Sequence, residues 1–203
     1  MVERHLAARG IKDRRVLAAM EAVPRHLFVP PELVGSAYDD RPLPIGHGQT
    51  ISQPYIVAFT AQALDISPGS RMLEVGTGSG YAAAVFSELC DKVVSVECIP
   101  SLARAARQRL AMLGYDRVEV VEGDGGLGWS EASPYDVVAL AAAAPEVPSR
   151  LLEQLVPDGR MVLPLGRERR DQKMVRVVRT RDGAQVEELL SVAFVPLVGH
   201  AGS

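Results

Sequence analysis

The stretch Met72 to Ala84, MLEVGTGSGYAAA, restricts the folds open to this chain more than any other. Met72, Leu73 and Val75 predict a buried strand, glycines follow at alternate positions (Gly76, Gly78, Gly80), and Tyr81 to Leu89 takes up helical spacing. A strand, a tight turn and a helix are expected in that order. Glycine suits such a turn because a ligand can approach backbone only where no Cβ intervenes, and because the turn can demand a positive φ. The start of the helix adds unpaired N–H groups aimed into the turn. The product is a cradle of nucleotide size or, on the plainer alternative, a glycine-rich turn that holds nothing.

Spacing separates two uses of the cradle. A dinucleotide pyrophosphate site favours Gly-x-Gly-x-x-Gly, in which the last glycine lets helix and strand pack closely. Here Tyr81 takes that place and the spacing is Gly-x-Gly-x-Gly, which disfavours a dehydrogenase. Glu74 stands two positions before the first glycine, where it would repel a pyrophosphate and suit a cation. The pattern resembles the first motif of S-adenosylmethionine (SAM) methyltransferases, whose cofactor carries an ammonium and a sulfonium and no phosphate.

The remaining chain sets bounds. Its 203 residues fit one domain, divided into N-terminal helices and a loop over 1–58 and a nucleotide-binding core over 59–203. A net charge of -3, with 47% hydrophobic and 23% charged residues, points to no nucleic-acid or membrane partner. The first residues, MVERHLAARGIKDRR, carry charges throughout and do not read as a secretory signal; the longest apolar run, Val137 to Pro145, is too short for a bilayer. A cytoplasmic monomer is expected. Cys90 and Cys98 form no C-x-x-C pair, and His5, His26, His47 and His200 match no metal-ligand spacing, so no metal is expected.

Taken in order, Asp13 can cap a helix with Val16, Leu17, Met20 and Val23 on one face, ended by Pro24. Arg25 to Phe28 adds a turn. Tyr38 to Pro54 has little periodicity and reads as a long, partly buried loop, in which Gln49, Thr50, Ser52 and Gln53 place neutral hydrogen-bonding groups together. Local backbone capping by Thr50 and Ser52 is the simpler account of those two. Tyr55 to Leu64 is helical.

Strand and helix then alternate: Lys92 to Val96, helix Ser101 to Leu113, Val118 to Val121, Tyr135 to Ala139, helix Pro148 to Leu155, and Arg160 to Leu165. Such β-α-β units predict a Rossmann-like, doubly wound and mostly parallel α/β sheet with helices on both faces. Met174 to Thr180 and Gln185 to Leu190 flank Arg181-Asp182-Gly183, a hairpin signal, so the sheet ends in antiparallel strands beneath an N-terminal helical cover. A last apolar run spans Val192 to Val198.

Ligands of such sheets lie across the carboxyl ends of the strands, where three acids fall: Glu74, Glu97 and Asp124. Glu97 follows the glycine turn by about 20 residues, the distance at which a carboxylate meets ribose hydroxyls. Asp124, with Gly125 beside it, could hold the adenine amino group. The seven Lys and Arg between Arg167 and Arg181 lack aromatic partners and read as a solvated face rather than a nucleic-acid patch.

Several segments then converge: GHGQTISQP at Gly46 to Pro54, LEVGTGSGYAAA, GDG at Gly123 to Gly125, PYDVVALAAAAPEVP at Pro134 to Pro148, QLVPDGRMVLPLG at Gln154 to Gly166, and FVPLVG at Phe194 to Gly199. Over nearly the whole chain they are similar to the protein-L-isoaspartate O-methyltransferase family, with Thr50-Ile51-Ser52 the diagnostic part. The resemblance implies methyl transfer from SAM to the α-carboxyl of L-isoaspartyl residues in damaged proteins, leaving S-adenosylhomocysteine. The ester would then collapse to a succinimide and hydrolyse in part to aspartate. It implies Ser52 as the active-site serine, a hydrogen-bond donor to the incoming carboxylate; Thr50 and Ile51 in the loop over the cofactor; and Leu197 and Val198 lining the peptide site through backbone contacts. The family often has aspartate where this chain has Glu74.

The chemistry agrees with that implication. An α-carboxyl has a reference pKa of about 3.3 to 3.7, so it arrives ionised and needs no general base. The leaving group is a neutral thioether and needs no acid. A nucleophilic Ser52 would need an adjacent histidine or lysine, which the motif lacks. Two rivals stay open: a methyltransferase for a small molecule or RNA, and a non-catalytic SAM-binding protein.

Overall fold

The apolar runs that follow residue 70 assemble side by side into one sheet. In the computed structural model, which describes residues 1–197, the strands are β1 (Leu43–Gly46), β2 (Gln49–Ile51), β3 (Arg71–Val75), β4 (Lys92–Glu97), β5 (Val118–Glu122), β6 (Tyr135–Leu140), β7 (Leu155–Leu165), β8 (Lys173–Thr180) and β9 (Gly183–Ser191). β1 and β2 form a separate hairpin; the main sheet has the order β5-β4-β3-β6-β7-β8-β9. β3 to β7 are parallel, and β8 and β9 are each antiparallel to the strand before. The chain moves outward from β3 to β5 and then returns to lay β6 on the other side of β3. Strand order reverses there, at the crevice where open sheets hold ligands.

Side chains along each strand alternate between two cores. Met72 of β3 and Val93 of β4 enter one, while Leu73, Val75, Val94 and Val96 enter the other. The helices α1 (Arg14–Ala22), α2 (Pro54–Leu64), α3 (Tyr81–Ser87) and α4 (Pro100–Met112) contribute to the first core, which runs from Leu6 to Met174. The short helix α5 (Ser149–Glu153) contributes Leu151 to the second.

The expected N-terminal cover is present. Asp13 caps α1, its side chain accepting from the Arg15 N–H at 2.8 Å. Beyond Pro24, Arg25 is wholly buried; its Nε donates to the Ala37 carbonyl at 2.8 Å and its guanidinium lies 4.6 Å from the centre of the Tyr81 ring. Phe28 meets the same ring edge-on at 5.6 Å. The ring attracts the cation and offsets part of its desolvation. Tyr81, which stands where a dinucleotide site would need glycine, is thus a docking point for the cover.

Two segments differ from the sequence expectation. The loop over 38–54 contains the β1–β2 hairpin, turned at Gly46, His47 and Gly48, all at positive φ. Leu43 pairs with Ile51, so alternation buries Ile51 and exposes Thr50. The helix expected over 148–155 stops at Glu153, because Tyr135 N–H takes the Gln154 carbonyl at 2.8 Å and Leu155 already pairs with Tyr135 as β7 begins. Residues 192–197 of the last apolar run are extended, with Pro196 bridged to Ala143 just beyond the end of β6.

Candidate active site

The carboxyl ends of β3 and β4 and the glycine turn form one wall of a cavity of about 760 Å³. Gly76 N–H donates to the Val96 carbonyl at 2.8 Å, and Gly78 N–H to Glu97 Oε2 at 2.8 Å. The other Glu97 oxygen accepts from Ile99 N–H at 3.0 Å. The carboxylate thus joins the turn to the start of α4 while keeping lone pairs for a ligand. Gly80, at φ 88°, leaves the cavity and meets α4: a Cβ there would lie 3.1 Å from Leu110 Cδ1. Gly125 has a different reason to be glycine, since a Cβ would collide with Val75 Cγ1 on β3.

Beneath the turn lies Glu74, 1% exposed. Ser95 Oγ donates to its Oε2 and stands 2.6 Å from Thr77 Oγ1, so a polar chain links β3, β4 and the turn. Glu74 Oε1 has no partner among the described residues. Burial pushes the carboxyl pKa up to about 8; the Ser95 hydrogen bond opposes that and the nearby Glu97 charge adds to it. Burial thus favours the neutral form of Glu74, which does not line the cavity.

The opposing walls come from chain far away in sequence. The β1–β2 hairpin supplies Gln49 and Thr50, and the turn after it supplies Ser52 and Gln53. Asp40 anchors this region: it takes Gln53 Nε2 at 2.9 Å, Tyr55 N–H in the first turn of α2 at 3.1 Å, and an ion pair from Arg9. The Arg9 guanidinium lies 3.8 Å from the Tyr55 ring centre. Residues 190–197 complete the enclosure. Buried Gln172 holds that segment, accepting from Phe194 N–H at 2.6 Å and donating to its carbonyl at 3.3 Å.

Of the residues singled out in the sequence, Thr50, Ser52, Gly76, Gly78, Glu97, Gly125 and Leu197 share this cavity. Ile51, Glu74, Gly80 and Asp124 support it from outside; Asp124 caps the turn at Gly125–Leu127 through Gly126 N–H at 2.9 Å. Leu197 N–H is engaged with the Ala143 carbonyl at 2.8 Å, so that group is not open to a peptide. Val198 lies outside the described residues. Arg9, Arg169, Arg170 and Phe194 also line the cavity; the sequence offers Arg169 and Arg170 only as part of a solvated basic face, Phe194 only as part of a family-like segment, and Arg9 not at all. No histidine or lysine lines it among the described residues.

Comparison with known proteins fits this geometry. The family model described as Protein-L-isoaspartate(D-aspartate) O-methyltransferase matches residues 1–202. The chain belongs to that family. Protein-L-isoaspartate O-methyltransferase 2 of Pelobacter propionicus is 55% identical over 203 residues, covering 100% of this chain and 90% of its own. A family member from Methanoculleus marisnigri is 52% identical, covering 100% and 91%. Among solved structures, a protein-L-isoaspartate O-methyltransferase superposes with TM-score 0.91 at 30% identity, covering 100% of this chain and 67% of its own. A Plasmodium falciparum structure of the same description, in complex with S-adenosyl-L-homocysteine, gives TM-score 0.83 at 25% identity and covers 97% and 96%. The α/β methyltransferase architecture expected from the glycine turn is the one present.

Proposed function

We propose that this chain esterifies the α-carboxyl of L-isoaspartyl residues in peptides and proteins, using SAM as methyl donor. The observation that carries the reading is a shared wall: Ser52 lines the same cavity as Gly76, Gly78, Glu97 and Gly125. The cavity suits SAM, since about 760 Å³ lies within the usual range of roughly 300–1,000 Å³ for small-molecule sites. Its glycine turn leaves backbone open to a ligand, and Glu97 retains lone pairs for ribose hydroxyls. Asp124 would stand at the adenine end and Thr50 over the cofactor, with Ile51 fixing the hairpin in the core. When bound, SAM supplies a methyl group on a positively charged sulfur.

Everything else falls to alignment, and the chain's own groups supply it. The acceptor carboxylate is ionised at neutral pH, so no residue need remove a proton. Ser52 donates a hydrogen bond to the carboxylate and holds it in line with the methyl. Residues 190–197, including Leu197, wall the peptide side. No helix among the described residues is long and apolar enough to cross a membrane.

The test is methylation of an isoaspartyl peptide beside its aspartyl twin with labelled SAM. Label is expected in the isoaspartyl peptide alone; equal or absent labelling overturns the reading. Ser52→Ala should lower kcat/KM for that peptide about 10- to 100-fold, the loss of one hydrogen bond to a charged group. A small-molecule or RNA methyltransferase would be indifferent to the isoaspartyl linkage.

A further inference from the structure

The basic run from Arg167 to Arg181 divides into two parts in the structure. On β8 the cations are taken up by neighbours: Arg176 pairs with Glu187 at 2.5 Å, Arg179 donates to the carbonyls of Glu153 and Leu155, and Lys173 Nζ donates to Ser191 Oγ at 2.9 Å. Before β8, in the connection from β7, Arg169 and Arg170 line the cavity. Arg169 Nε donates to the Phe194 carbonyl at 3.3 Å, which fixes it beside the wall formed by residues 190–197. Its terminal nitrogens have no acceptor among the described residues. Arg170 pairs only with its neighbour Glu168, at 3.2 Å and with 84% of its side chain exposed, a contact worth little in water.

The other charges on the cavity wall do not cancel these two. Arg9 is already paired with Asp40, and Glu97 is hydrogen-bonded into the glycine turn. Glu168 and Asp171 share the β7–β8 connection but do not line the cavity. A protein of net charge -3 thus presents on the cavity wall Arg169, bonded through Nε alone, and Arg170, held only by an exposed ion pair to Glu168. Like charges grouped at a cleft raise the local concentration of the opposite charge and speed its capture.

Resting on the reading above, we propose that Arg169 and Arg170 are specificity residues that select acidic sequence around the isoaspartyl site, so that the preferred substrate is an acidic peptide. Guanidinium forks match flanking carboxylates and disfavour flanking lysine or arginine. The contact is with the flanks, and the transferred methyl group does not depend on it.

Isoaspartyl peptides that differ only in carrying Glu, Gln or Lys on either side of the linkage test this. The expected order of kcat/KM is Glu, Gln, Lys, with about a tenfold span at low salt that closes toward unity near 1 M, where the screening length falls to about 3 Å. Arg170→Gln, at an exposed position that cannot unfold the chain, should shrink the span about threefold. Arg169→Gln with Arg170→Gln should abolish it, and Arg181→Gln, at the far hairpin turn, should leave it intact. Equal turnover of the three peptides overturns the proposal, as does a span that survives the double variant. It also fails if the double variant raises the KM for SAM with the span unchanged, which would assign the arginines to the cofactor. Failure of all three peptides to be methylated would instead sink the isoaspartyl reading itself.

Discussion

The two sides of the cavity are built on different plans. The glycine-turn side is made from consecutive strand ends, and its polar contacts join residues within about twenty positions along two neighbouring strands: Gly78 to Glu97, Glu74 to Ser95 to Thr77. The Ser52 side is assembled from three remote pieces, the hairpin over 43–51, the connection after β7 and the segment over 190–197, stitched by Asp40 and Gln172. The first is a property of the sheet, and the second is a property of tertiary contacts. On the proposed reading, with SAM on the glycine-turn side and the peptide on the Ser52 side, the donor side and the separately anchored acceptor side should fail independently when their anchors are removed.

The largest expected effect belongs to Glu74, at the base of the donor side. Its folded pKa of about 8 lies above the ordinary 4.5, so the folded protein holds a proton that the unfolded chain releases first. Its contribution is intact below pH 4.5 and is lost as pH rises to about 8, on the order of 5 kcal/mol in total. Glu74→Gln should remove that slope, making the variant more stable than the parent at pH 9 and closely matched at pH 4.5 in urea unfolding. Identical pH slopes for the two proteins would show that the carboxyl is not sealed under the turn.

Next comes Glu97→Ala, which strips the acceptor from both Gly78 and Ile99. About 3 kcal/mol, or ~100-fold weaker SAM binding by calorimetry, is expected, with peptide KM little changed. The smallest effect is on the acceptor side. Gln172→Ala leaves Phe194 N–H without its partner and should cost about 1–2 kcal/mol, seen as a peptide KM raised about tenfold while SAM affinity holds. If each variant disturbed both ligands equally, the two sides would be one unit and the comparison would be broken.

The same division explains what the sequence discloses. Gly76, Gly78 and Gly80 are legible because a buried strand, a turn and a helix leave their signature within a few residues, and Glu97 because it ends the next strand about twenty residues on. The alternation that turns Ile51 inward and Thr50 outward is hidden, since strands of four and three residues are too short to show a period. The hydroxyl at Ser52 was legible through the resemblance of its loop to a family. Arg169, Arg170 and the Gln172 anchor were not, because only the path of the chain brings residues 167–173 against residues 190–197. Glu74 reads as an acid facing a cation until burial is known. The early end of α5 likewise reflects a partner, Tyr135, that local propensity does not contain.

The guanidinium of Arg25 lying on the Tyr81 ring has a practical consequence for anyone seeking a minimal catalyst. An excised sheet beginning at residue 59 would lose Arg25, Phe28 and the Asp40 anchor together, baring a greasy flank at the helix that follows the glycine turn. The amino-terminal quarter is therefore the keystone course of the arch, and engineering that trims it dismantles the vault it was meant to expose.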